Sequence, residues 1–169
     1  MLELGARYGS VSCIINHKLK DPTKLVVVEP DKRVWNVLEY NKKINNCNFN
    51  IIRGFISNKK LGLTNTEHFK FGGYASTFVL DNNSDIPSFT LEEIKKKCNI
   101  DKFNVLVADC EGFLEVFLDE NPEFYTCLRM IIFEADYPEK CNYEKIRDKL
   151  KDNNFKCLIN GHQNVWVNQ

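Results

Sequence analysis

The hexapeptide KLVVVE, residues 24–29, constrains the fold more than any other stretch. Its apolar residues follow one another without polar alternation. A strand with one wet face would alternate at every second residue, so this one is buried on both faces. Such a strand belongs in a sheet with cover on both sides, and the usual cover is helices in strand–helix–strand units. The rest of the chain agrees. Further strands are predicted at Leu2–Leu4, Phe49–Arg53, Asn104–Ala108, Arg129–Glu134, Phe155–Ile159 and Asn164–Val167. Helical spacing fills the gaps. Ser10–Leu19 places Val11, Ile14, Ile15 and Leu19 on one face, and Asp31–Lys43 repeats Val34, Trp35, Val37 and Leu38. Thr90 with Glu93 predicts a capping box, and Phe89 with Ile94 a hydrophobic staple. A helix runs from Phe113 through Leu118 and must end by Pro122. Asn142–Leu150 is amphipathic through Tyr143, Ile146 and Leu150. Asn160-Gly161 is a strong hairpin signal, so the last two strands pair antiparallel.

The expected fold class is therefore α/β: a mostly parallel sheet with helices on both faces and a C-terminal antiparallel hairpin strand. The length of 169 residues suits a single domain, 1–169. An irregular insert at 54–85, with Gly62, Gly72 and Gly73, interrupts it. Loops of that length are often functional. A formal net charge of zero argues against a nonspecific nucleic-acid binder, which needs a positive field. The seven cysteines are odd in number and form no C-x-x-C, as free thiols in a reducing compartment would. A cytoplasmic protein is expected, without signal peptide or membrane span. The first motif begins almost at Met1. The first strand is either very short or preceded by chain outside this sequence.

Two groups of residues point to a ligand. The first is ELGARYG, residues 3–9, with Glu29. Gly5 permits a tight turn after the first strand, and Gly9 lets the helix start approach a bound group. Arg7 stands where a dinucleotide fingerprint has its second glycine, so a pyrophosphate would meet a side chain. A donor without phosphate is less affected. Glu29 closes the second strand, where an acid can accept both hydroxyls of a ribose. Glu3, inside a central strand, is costly unless hydrogen-bonded. It can hold the loop amides or meet the amino end of a ligand. The second group is VADCEG, residues 107–112, in which Asp109 and Glu111 lie between two apolar runs. They can cap the following helix or face a ligand, and Glu134 closes the neighbouring strand.

These pieces together resemble the FkbM-type family of class I S-adenosylmethionine-dependent methyltransferases. The resemblance rests on ELGARYGS (3–10), VVVEPD (26–31), LEYNKKINN (38–46), VADCEG (107–112) and IIFEAD (131–136), in order over most of the chain. It implies a Rossmann-like, seven-stranded sheet and methyl transfer from S-adenosyl-L-methionine to an oxygen of a small-molecule or saccharide acceptor. Carried onto this sequence, Glu3, Gly5 and Gly9 form the donor loop. Glu29 clamps the ribose, and Phe55 and Ile56 lie near the adenine. Asp109 lies near the transferable methyl, with Glu111 and Glu134 in the same crevice. These acids could stabilise the donor's charge, deprotonate the acceptor or hold a divalent metal. The spacing is not diagnostic of a metal, and none is expected. Gly72-Gly73-Tyr74 is a candidate acceptor lid and His68 a candidate acceptor-site base. His17 is expected to be structural or solvated and His162 exposed. The short first strand departs from the family. It leaves two alternatives: a catalytically lapsed methyltransferase-like binding domain, and a nicotinamide-dependent oxidoreductase on the same kind of sheet. An uncovered first strand could also favour a homo-oligomer.

Overall fold

The computed structural model describes residues 1–64 and 76–169. His68, Gly72, Gly73 and Tyr74 lie outside the described residues. The main sheet has seven strands: β1 (Leu2–Leu4), β2 (Val26–Glu29), β3 (Asn50–Arg53), β4 (Val105–Ala108), β5 (Met130–Glu134), β6 (Phe155–Ile159) and β7 (Gln163–Asn168). Their order is β6-β7-β5-β4-β1-β2-β3. All neighbours are parallel except β7, which runs antiparallel to both β5 and β6. The chain builds outward from β1 to β3, then returns to lay β4 on the other side of β1. That reversal puts a topological switch point between β1 and β4, where ligands bind beyond the carboxyl ends of the strands.

Among the described residues six α-helices accompany the sheet: α1 (Ser10–Lys18), α2 (Trp35–Ile44), α3 (Leu91–Cys98), α4 (Leu114–Glu120), α5 (Phe124–Cys127) and α6 (Tyr143–Asp152). Thr90 and Glu93 form the expected capping box on α3. α2 begins at Trp35 rather than Asp31, because the Asp31 carboxylate accepts the backbone N–H of Arg33 and holds those residues in a turn. The insert is more regular than its sequence suggests. Phe55–Ile56 pairs in parallel with Ser88–Phe89, and Leu61–Leu63 pairs antiparallel with Phe78–Leu80.

The two sheet faces differ. On one, Leu2, Val26, Ile52, Leu106, Ile131 and Phe133 pack with Ile94 of α3, Phe117 of α4 and Ile146 of α6 in one large core. On the other, α1 and α2 cover only β1–β3, through Cys13, Leu38, Val27 and Phe49. Register places Glu3, Val27, Val107, Ile132 and Val165 side by side on that second face. Val107, Ile132 and Val165 remain half-buried there.

The expected apolar face of α1 is buried only in part: Ile15 and Leu19 pack against the core. Val11 is 50% and Ile14 64% exposed, while Ser12, Cys13 and Asn16 face inward. The cause is the polar group beneath. Glu3 projects from β1 toward Ser12, and the Asn16 side-chain oxygen accepts the backbone N–H of Asn48. Val37 of α2 is likewise 43% exposed, and Leu38 alone is buried within that helix.

Adjacent residues of β5 test this asymmetry. Phe133→Ala should lower the unfolding free energy by about 3–5 kcal/mol, and Ile132→Ala by less than about half of that. Denaturant titration of both variants gives the comparison.

Candidate functional site

The switch point carries a crevice, a cavity of about 110 Å³. Gly5 is its seat. The Asp109 amide donates to the Leu4 carbonyl, and the Gly5 amide to that of Val28, both at 3.0 Å. The loop after β4 is thereby pressed onto the loop after β1. A Cβ on Gly5 would sit 1.6 Å from the Asp109 carbonyl oxygen, and its φ of +82° is one that side chains resist. Glycine is therefore required for the two loops to meet.

Glu29 ties the crevice together from the end of β2. Its two carboxylate oxygens accept the backbone N–H groups of Arg7 (2.6 Å) and Asp31 (2.7 Å). Its carbonyl accepts the Gly54 amide and the Trp35 indole N–H. Burial pushes its carboxyl up to about 7, against the pull of the two amides. Arg7 takes φ +49°, the left-handed conformation a fingerprint glycine would supply, so the loop keeps that shape despite the substitution. Asp31 lines the crevice beside Glu29 and pairs with the Arg33 guanidinium at 2.8 Å.

The acids after β4 and β5 converge from the other side. Neither Asp109 nor Glu111 caps α4, whose N-cap is Phe113 without a side-chain cap bond. Instead Glu111 and Gly112 take left-handed φ values of 51° and 84°, which turn the acids into the crevice. Asp109 is exposed as a residue, yet partial desolvation of its carboxyl in the crevice raises it to about 7, helped by the proximity and charge of Glu134 and by the charge of Asp136. Glu111 rises to about 7 through burial and through a hydrogen bond with Asp136. Asp109, Glu111 and Asp136 bring one carboxylate oxygen each within 4.8 Å of one another. Acids gather in this way without a cation, so the spacing alone assigns none. Close-set carboxyls can instead share protons, as the paired shifts describe.

Phe55 and Ile56 line the crevice, and Phe55 meets Phe113 edge to face at 5.7 Å between ring centres. Phe78 packs on the same ring at 5.2 Å. Two of the expected loop residues lie elsewhere. Gly9 faces Leu38 of α2, where a Cβ would come within 2.6 Å of the Leu38 methyl, so it serves helix packing. Glu3 is buried below the loop at 3% exposure, and its Oε2 has no hydrogen-bond partner. Burial raises it to about 7, while the Ser12 hydroxyl pulls the other way. Glu134 stands behind Asp109. Asp31, Asp136 and Phe113 were not singled out from the sequence. IIFEAD contained the signal for Asp136, since an acid two residues beyond Glu134 stays at the same strand end.

The raised carboxyls have a sign that can be measured. In the folded chain Glu3 and Glu29 keep protons up to about pH 7, against an ordinary value of 4.5. Between those values the folded state binds more protons than the unfolded one, so their contribution to stability is lost as pH rises through about 7. Glu3→Gln should stabilise the protein at pH 8 by roughly 1–3 kcal/mol and flatten the fall in stability between pH 5 and 7.5. Denaturant unfolding across that range checks it.

No family model matches the chain, and no curated protein matches it. Solved structures do. The chain is similar to a precorrin-6y C5,15-methyltransferase from Geobacter metallireducens, with TM-score 0.53 and 13% identity over 99% of this chain and 77% of that one. It is similar to a ribosomal protein L11 methylase from Lactobacillus delbrueckii subsp. bulgaricus, with TM-score 0.51 and 16% identity over 99% and 69%. An Aeropyrum pernix fibrillarin, solved with natively bound S-adenosyl-L-methionine, gives TM-score 0.52 and 14% identity over 98% and 64%. At such identities the likeness speaks for the fold. The chain has the Rossmann-like methyltransferase fold: a seven-stranded, mostly parallel sheet whose C-terminal hairpin brings in the antiparallel strand.

Proposed function

We propose that this chain is an S-adenosyl-L-methionine-dependent methyltransferase of the FkbM type, acting on a hydroxyl of a small molecule or saccharide. The charge of the crevice carries the reading. Glu29, Asp31, Asp109 and Glu111 line it, and Arg7 is the cation among its described lining residues. With Glu29, Asp109 and Glu111 poised at about 7, a positively charged sulfonium draws these carboxyls toward their ionised form, whereas the pyrophosphate of a nicotinamide dinucleotide would meet acids and be disfavoured. The apolar wall of Val28, Val34, Phe55 and Ile56 suits a purine ring. The Rossmann-like methyltransferase fold supports the same donor.

S-adenosyl-L-methionine supplies an electrophilic methyl group on a positively charged sulfur. Glu29 and Asp31 stand where ribose hydroxyls would lie. The Glu29 oxygens, each already accepting one amide, keep a second lone pair for that task. Phe55 and Ile56 hold the base, and Gly5 lets the backbone close around the donor. Asp109 faces the acceptor side and takes the proton that the hydroxyl must lose as its oxygen bonds the methyl. Glu111 and Glu134 modulate that proton affinity. Alignment of the reactants supplies much of the acceleration, and the base adds roughly 10²–10⁴-fold.

Asp109→Asn keeps the size of the side chain and removes the base. It should lower methyl transfer by about 10²-fold or more while changing stability little. Transfer of labelled methyl from the donor into fractionated cell extract, followed by mass spectrometry of the labelled product, supplies the assay. A full rate in the purified variant would remove Asp109 from the mechanism.

A further inference from the structure

His162 sits on the turn between β6 and β7, remote in sequence from the crevice acids. Register brings it to the crevice acids. Ala108 pairs with Phe133 and Glu134 pairs with Gln163, so Asp109, Glu134 and His162 follow one another across the ends of β4, β5 and β7. The His162 Nε2 lies 2.5 Å from Glu134 Oε1. Glu134 in turn lies close enough to Asp109 to raise its proton affinity. The turn is held on both sides. The Ala135 amide donates to the His162 carbonyl at 2.8 Å. The Asn164 side-chain amide donates to the Gly161 carbonyl at 2.8 Å, and its oxygen accepts from the Arg147 guanidinium at 3.1 Å. Asn164 itself is fully buried. The His162 side chain is 62% exposed, as expected from the sequence, and the anchored turn keeps its backbone next to that one carboxylate.

We infer that His162 is a positioning residue for Asp109: by pairing with Glu134 it cancels the nearest negative charge and keeps Asp109 able to accept a proton. The inference rests on the reading of Asp109 as the acceptor's base. The groups around Asp109 show why a cation matters here. Glu3 faces it from β1, Cys110 and Glu111 from its own loop, and Glu134 and Asp136 from the end of β5. All of these are acids or a thiol. Among the described residues that act on Asp109, His162 opposes them, and its charge acts to lower the proton affinity of Asp109. When the imidazole carries its proton, Glu134 is neutralised and Asp109 ionises more readily. The proton lost by the acceptor hydroxyl as its oxygen bonds the methyl then passes to the ionised Asp109.

The test follows Asp109 by carbon-13 NMR of side-chain-labelled aspartate, with its signal assigned by loss in Asp109→Asn. No acceptor is needed. In His162→Gln the titration midpoint of Asp109 should rise by about half a unit or more. In Glu134→Gln it should fall, and adding His162→Gln to Glu134→Gln should produce little further change. An unchanged midpoint in His162→Gln overturns the inference. A shift of equal size with and without Glu134 overturns the route through that residue. Because the backbone of the turn is untouched, unaltered amide shifts elsewhere separate this effect from a structural one. Once an acceptor is found, the acid limb of the rate–pH profile should move upward in His162→Gln. Failure of the base reading shows separately, as full methyl transfer by Asp109→Asn.

Discussion

The Glu29 carboxylate, buried and accepting the amides of Arg7 and Asp31, is the interaction on which the site depends. It joins the loop after β1 to the turn after β2, while the carbonyl of the same residue receives Gly54 and Trp35. Four contacts from separate parts of the chain therefore meet at one residue. An acid at 5% exposure is unfavourable in itself, and charge-assisted bonds to backbone N–H groups offset that. The arrangement explains how Arg7 is held at positive φ. The strained residue donates its own amide to the carboxylate, so the strain is balanced locally.

Around this anchor the molecule divides by charge. The donor side has an apolar wall and two acids at the end of β2. The opposite side has acids from the ends of β4 and β5 that raise one another's proton affinity. Their repulsion is tolerable because protons are shared and because His162 reaches Glu134 from the hairpin. The same face of the sheet that carries Glu3, Asp109 and Glu134 is covered by α1 and α2 only over β1–β3. Polar groups and half-buried aliphatic residues thus lie side by side on it.

Much of the fold was legible because strands and helices report themselves locally. LVVV could only be an inner strand, and Thr90 with Glu93 marks a helix start whatever its surroundings. Asn160-Gly161 likewise marks the hairpin. The orientation of α1 was legible only in part. Its aliphatic stripe suggested one buried face, but the acid on β1 called for Ser12 and Asn16 there in place of Val11 and Ile14, and that acid lies on another element. The site shows the same division. Gly5, Glu29, Phe55, Ile56, Asp109 and Glu111 lie at strand ends and line the crevice. Gly9 looked similar in the sequence, yet the close approach of Leu38 accounts for it. His162 joins the site only through the pairing of β5 with β7, which no local pattern announces.

The central claim is that this crevice takes the S-adenosyl nucleoside shared by the methyl donor and its demethylated product rather than a dinucleotide. Isothermal titration calorimetry of the purified chain with S-adenosylhomocysteine and with NAD tests it most directly. The account predicts saturable one-to-one binding of S-adenosylhomocysteine, weakened in Glu29→Ala, and no comparable binding of NAD. Binding of NAD without binding of S-adenosylhomocysteine would contradict it.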